Sequence, residues 1–206
     1  GSGLTVSWRM VGAVLVVAAV APMLGAVLAY LITGVIRRLP SRPQVARSLP
    51  GMHVAAFALV CIAYGANDGQ KMLAVAALSY GGVGVAGVGA DVGLLVSISV
   101  LFALGAILGV RRLGTRFGTG VLAVRPVNTV AAELASATAV LGSASFGAPV
   151  SMTQALTGGL VGTGVTDGLR RIRWSVATSI VIAWLVTLPL SLAAAVLLSL
   201  AARPIL

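Results

Sequence analysis

Five apolar runs, at about 10–36, 52–80, 91–110, 127–166 and 174–202, are separated by short stretches in which arginine collects. A helix needs about 20 apolar residues, with a range near 17–25, to cross the hydrocarbon of a bilayer. The first three runs and the last therefore predict single spanning helices. The fourth is about 40 residues long and is interrupted by Gly147-Ala148-Pro149. Proline removes a backbone donor and glycine relaxes the turn, so this segment folds back as a helical hairpin, either re-entrant or fully crossing. Composition agrees: 59% of residues are hydrophobic and 9% are charged, against about 25% charged in soluble domains. The expected class is an all-α integral membrane protein with four spanning helices and a hairpin. Residues 1–9, opening Gly1-Ser2-Gly3, read as a tag, linker or N-terminal tail, and residues 10–206 as one transmembrane domain.

The formal net charge of +10 sits in the connections. The 37–50 connection holds Arg37, Arg38, Arg42 and Arg47, the 111–126 connection holds Arg111, Arg112, Arg116 and Arg125, and Arg170, Arg171 and Arg173 precede Trp174. The 81–90 connection holds none. Excess lysine and arginine in short loops marks the cytoplasmic side. The expectation is a multi-pass plasma-membrane protein with both termini outside, the hairpin entering from inside, and arginines that orient the chain and meet lipid headgroups. That distribution excludes a nucleic-acid footprint. Cys61 is the only cysteine, so no intrachain disulfide forms and it packs as a small hydrophobe.

Other patterns carry less. Gly82-Val83-Gly84-Val85-Ala86-Gly87 has dinucleotide-motif spacing but neither follows a strand nor opens a soluble βαβ unit, and it reads as a turn between spans. Gly105 with Gly109, and Gly158 with Gly162, have the small-residue spacing that lets helices approach closely. His53 has no cysteine or carboxylate at metal spacing.

Two polar clusters interrupt the apolar runs. The first is Tyr64-Gly65-Ala66-Asn67-Asp68-Gly69-Gln70-Lys71, which contains the only lysine. A charged side chain at membrane depth costs about 2.5–3.5 kcal/mol on insertion scales, so such a cluster is expected to function or to neutralise itself. Gly65 and Gly69 flank it, and the helix is expected to break there and bare backbone groups, as in many transporters. Lys71 either meets an anion directly or lies within i,i+3 reach of Asp68 and neutralises it. The second cluster is Glu133 together with Ser151, Thr153 and Gln154 beyond the proline turn. A helix starting at that turn would aim N–H groups and two hydroxyls at a small oxyanion. The plainer alternative is that Ser151 and Thr153 only cap the helix. No His-x-x-x-His, activated nucleophile pair or facing aspartate pair points to an enzyme.

These residues resemble the inorganic phosphate transporter (Pit) family of secondary transporters, whose members carry two related halves in inverted orientation. Gly65-Ala66-Asn67-Asp68-Gly69-Gln70-Lys71 matches the later-half G-x-N-D-x-Q-K element. Ala132-Glu133-Leu134-Ala135-Ser136-Ala137 is similar to the A-E-x-A-S-A stretch, and Pro149-Val150-Ser151 with Thr153 to the P-V-S-T-T-H element. Arg173-Trp174 and Ala183-Trp184-Leu185-Val186-Thr187-Leu188-Pro189 resemble the closing segment. The likeness runs from about His53 to the C-terminus and implies one half of an inverted-repeat carrier, completed by a second half or by homo-oligomers. The implied function is cation-coupled inorganic phosphate transport, with a sulfate carrier and a non-transporting scaffold or regulatory subunit as alternatives. The implied roles are Asn67 and Asp68 for the cation, as sodium ligands if sodium is used, and Glu133 as second candidate for a cation or proton. Ser151, Thr153, Gln154, Gln70 and Lys71 would line the phosphate site. No cofactor is implied beyond the co-transported ion. Met152 and Gln154 depart from the hairpin element, and the missing histidine at 154 favours sodium over protons there.

Overall fold

Backbone amides with no water at hand must bond to one another, and the apolar runs do so as helices. The computed structural model describes residues 8–38, 43–79, 91–118, 125–146 and 150–202. Helix α1 covers Trp8–Arg38, α2 Pro43–Ser79, α3 Val92–Gly118, α4 Pro126–Ser145, α5 Met152–Asp167 and α6 Trp174–Ala202, with a short 3-10 turn at Leu169–Arg171. Among the described residues three stretches are long and apolar enough to cross a membrane: Leu15–Arg38, Arg47–Ala77 and Trp174–Leu198. Helix α3 carries a shorter apolar stretch, Val92–Leu108.

The chain divides into two compact units, one ending at Ile172 and one beginning at Arg173. The second unit is α6, whose Ile182, Leu185, Leu190, Leu192 and Leu197 are exposed, as suits a helix meant for lipid or another helix. In the first unit α4 is central, packed by α1, α2 and α5. It is buried nearly all round through Val130, Ala131, Ala132, Ala135, Ala137 and Val140, and its alanines let three neighbours come close. Asn128 bonds Asp167 while Ala132 meets Gly159 farther along, so α4 and α5 run antiparallel. Helix α2 accompanies α4 in the same direction, with His53 beside Glu133 and Ala63 clustered with Val140. Helix α1 accompanies α5: Pro22 lies on Gly158, Ala26 on Gly162, and Arg37 reaches Asp167.

One expectation is corrected. Helix α2 runs unbroken from Pro43 to Ser79, through Gly65 and Gly69. A glycine in a helix costs about 1 kcal/mol relative to alanine, whereas unsatisfied backbone groups in an apolar setting cost several kcal/mol each. The hydrogen-bond ladder therefore survives the glycines, and the cluster presents side chains instead of bared carbonyls. The fourth run does part, between Ser145 and Met152; Gly147, Ala148 and Pro149 lie outside the described residues, as do Gly82 to Gly87. Helix α5 ends at Gly168, whose φ of +106° favours glycine, and the Gly168 N–H donates to the Val165 carbonyl.

Candidate functional site

The first polar cluster and the start of α5 meet through one backbone carbonyl. Asn67 is fully buried. Its Nδ2 donates to the Val150 carbonyl at 2.8 Å and to Asp68 Oδ1 at 3.0 Å. Both partners are pure acceptors, so the amide nitrogen must face them and Oδ1 must point elsewhere. Lys71 Nζ donates to Asp68 Oδ1 at 2.8 Å and to the same Val150 carbonyl at 3.3 Å. Of the two arrangements open to Lys71, the i,i+3 pair with Asp68 is the one observed. The three side chains form a net-neutral knot on one face of α2, tied to the residue just before α5. Gln70 is exposed.

Val150 leads into Ser151, the N-cap of α5, whose Oγ accepts from the Gln154 N–H and shares a hydrogen bond with Thr153 Oγ1 at 2.9 Å. Ser151 thus caps the helix as an acceptor, and capping does not exclude anion binding, because the cap uses a lone pair and leaves an O–H of the Ser151–Thr153 pair to donate. The cap takes the Gln154 N–H, which leaves the Met152 and Thr153 N–H groups as the orphan donors of the first turn. The side-chain oxygens Asn67 Oδ1 and Gln154 Oε1 are buried and find no hydrogen-bond partner among the described residues. Buried acceptors left unpaired are uncommon and mark places where a donor or a cation belongs.

Glu133 sits elsewhere. It is 8% exposed on α4, and its Oε2 lies 2.9 Å from His53 Nδ1. His53 precedes Asn67 by fourteen positions on α2, about 20 Å at 1.5 Å per residue. The acidic residues of the two clusters thus occupy separate places, and His53 is the partner that sequence reasoning missed. A third polar cluster was also missed. Asp167, with a side chain 5% exposed, pairs with Arg37 and, at 3.5 Å, with Arg125. It also accepts from Asn128 Nδ2 at 2.7 Å. Arg37 donates as well to the Thr166 carbonyl at 2.8 Å, which satisfies an orphan acceptor at the end of α5. This cluster ties the ends of α1 and α5 to the start of α4, at the arginine-rich end of the helices.

Burial works against the Asp167 carboxylate, but the Asn128 amide and the Arg37 and Arg125 guanidiniums outweigh it and hold its pKa below the ordinary carboxylate value. A depressed folded-state pKa stabilises the fold above the unfolded value of about 3.9, and that contribution is lost as pH falls through the lower folded value. Thermal unfolding in detergent should show an acid-dependent loss below about pH 4. Asp167→Asn is expected to remove that dependence and to lower the melting temperature at neutral pH.

A sequence profile described as the phosphate transporter family matches residues 40–195. The chain belongs to the phosphate transporter family. Its matched stretch contains Asn67, Asp68, Lys71, Glu133 and Ser151, so the resemblance carried by their motifs is borne out. A protein of Mycobacterium tuberculosis (strain ATCC 25618 / H37Rv) named "Probable low-affinity inorganic phosphate transporter" is 36% identical over 179 residues, 85% of this chain and 43% of its own length. A Mycobacterium leprae protein of the same name is 34% identical over 180 residues, 86% of this chain and 43% of its own. "Inorganic phosphate transporter 2-1, chloroplastic" of Arabidopsis thaliana is 31% identical over 152 residues, 71% of this chain and 26% of its own. The chain therefore spans less than half the length of these relatives, which are named as transporters rather than enzymes. No solved structure matches. Family membership and the apolar helices make this a membrane protein.

Proposed function

We propose that the chain is one half of a cation-coupled inorganic phosphate carrier, with the anion held at the start of α5 against the Asn67–Asp68–Lys71 knot. The observation that carries this reading is the 2.8 Å hydrogen bond from Asn67 Nδ2 to the Val150 carbonyl. It places a sequence-distant acidic cluster beside two hydroxyls and a helix N-terminus. Because Lys71 and Asp68 neutralise each other, phosphate would be met by the Ser151 and Thr153 hydroxyls and the α5 N–H groups, with Lys71, Gln70 and Gln154 at the margin. Neutral donors hold an oxyanion without trapping it, which suits a carrier that must release its cargo. Phosphate bears about −1.5 to −2 charge near neutrality, by analogy with phosphoesters. Entry against 100 mV costs about 2.3 kcal/mol per charge, so cations must travel with it. Asn67 Oδ1, Asp68 and Gln154 Oε1 are hard oxygen donors suited to sodium.

Helix α5 has 16 residues, fewer than the roughly 17–25 of a spanning helix, and this favours a re-entrant hairpin whose second arm starts beside Asn67. The arginine-rich end would face the cytoplasm, with both chain termini outside. Relatives about twice as long support a counterpart, either a second half or a second copy, against which this half would rock in alternating access. The plasma membrane is the proposed location. The test is radiolabelled phosphate uptake into proteoliposomes under separate sodium and proton gradients, with sulfate as competitor. It should use this chain alone and with its other half. Asp68→Asn is expected to remove cation dependence and to cut uptake by about tenfold or more, the equivalent of one charge-assisted hydrogen bond. Uptake by the complete assembly that is indifferent to both Asp68→Asn and Ser151→Ala would leave the chain a scaffold.

A further inference from the structure

We propose that the groove between the ends of α1 and α5 binds an anionic phospholipid, with its phosphate on Arg38 and its first acyl carbons along Leu31, Val35 and Val165. The groove is a cavity of about 450 Å³ lined by those residues with Tyr30, Gly34 and Thr166. That volume is in the range of ligand sites. Charge complementarity identifies the occupant. The chain has four carboxylates, and each is engaged: Asp68 with Lys71, Glu133 with His53, Asp167 with Arg37 and Arg125, and Asp91 as acceptor of the Leu94 N–H. Arg38, at the mouth of the groove, is exposed and meets no carboxylate among the described residues, and exposed Arg170 and Arg171 follow α5 closely in sequence. The negative charge that balances this rim must come from outside the chain.

The walls decide between a lipid and a free phosphate ion. Leu31 is 55% and Val35 62% exposed, on a stretch apolar enough to lie in hydrocarbon. Tyr30 stands eight positions before Arg38, about 12 Å deeper along the helix. A cationic mouth above an apolar slot matches a headgroup above its acyl chain, whereas an inorganic ion would gain nothing from the slot. Gly34 keeps the slot open: a Cβ there would meet nothing within 4 Å. A larger side chain at 34 would therefore fill the groove without forcing α1 and α5 apart.

Native mass spectrometry of the purified chain with phosphatidylglycerol, phosphatidylcholine or inorganic phosphate tests this. Wild type is expected to retain phosphatidylglycerol in preference to phosphatidylcholine. Arg38→Gln should lose about fivefold of that preference, as one arginine near an anionic surface contributes about that factor. Gly34→Leu should reduce retention of both lipids, and Arg9→Gln, near the start of α1, should change nothing. Both test positions are exposed or open, so the variants should fold, and unchanged thermal unfolding checks this. Equal retention of the two lipids by wild type, or either test variant behaving as wild type, overturns the proposal. So does displacement of phosphatidylglycerol by inorganic phosphate at matched concentration. None of these readouts depends on transport.

Discussion

Gly158→Leu is expected to abolish the folded first unit, and Gly162→Leu to do nearly the same. A side chain at either position would run into backbone: the Pro22 carbonyl group from Gly158 and the Ala26 carbonyl group from Gly162. The same contact is reciprocated from α1, where a Cβ at Gly25 would collide with the Ala155 carbonyl. Ordinary overpacking costs about 1–3 kcal/mol because neighbouring side chains can move aside. Here the obstacle is main chain, so the helices themselves must separate, and Gly159 is in turn held close to the Ala132 backbone on the α4 side. A loss of more than about 4 kcal/mol is the expected scale, at the far end of single-mutation effects. Unfolding in SDS should show it as a collapse of the transition. Gly65→Ala is the control: nothing lies within 4 Å of a Cβ there, and removing a helical glycine should stabilise α2 by about 0.5–1 kcal/mol. If Gly158→Leu unfolds like wild type, α1 and α5 are not in contact.

That contact shows where sequence reading reached and where it stopped. The Gly158 and Gly162 spacing announced a close helix approach, but the spacing says nothing about which helix approaches, and Pro22 and Ala26 lie more than a hundred residues away. The five apolar runs, the parting of the fourth and the gathering of arginines were all legible, because lipid solubility and proline chemistry act locally. Helix ends were not. Helix α2 begins at Pro43 and α3 continues to Gly118, since hydropathy marks where lipid stops and not where the hydrogen-bond ladder stops. The break at Gly65 and Gly69 was misjudged for a related reason: glycine weakens a helix in water more readily than in an apolar setting, where the freed groups find no partner. His53 with Glu133 and Asn128 with Asp167 were invisible because each pair is joined only by the tertiary fold, 80 and 39 residues apart. With four carboxylates in the chain, the signal available was scarcity. Each acid in such a setting needs a named partner, and searching for one would have flagged Asp167.

Asn67→Leu should produce the largest functional loss of any substitution that leaves the helices in place. Leucine is close to asparagine in size, so α2 is undisturbed, but two hydrogen bonds go at once. Among the described residues the Val150 carbonyl keeps only the 3.3 Å side-chain contact from Lys71, while Asp68 keeps Lys71 and the Tyr64 hydroxyl. Leaving a buried acceptor under-satisfied costs about 1–3 kcal/mol, and that cost falls on the segment that sets the start of α5. Hydrogen exchange should accelerate at residues 150–154 while the α4 amides around Val130 to Ala132 stay protected. Phosphate uptake by the complete assembly should fall by about two orders of magnitude, the rate equivalent of roughly 2.7 kcal/mol. Lys71→Met separates the two donors. Lys71 is 44% exposed in its side chain and its contact to Val150 is the longer one, so its loss should loosen the start of α5 less than the loss of Asn67. A Lys71→Met variant with faster exchange at 150–154 than Asn67→Leu would assign the anchoring of α5 to the ammonium and not to the buried amide.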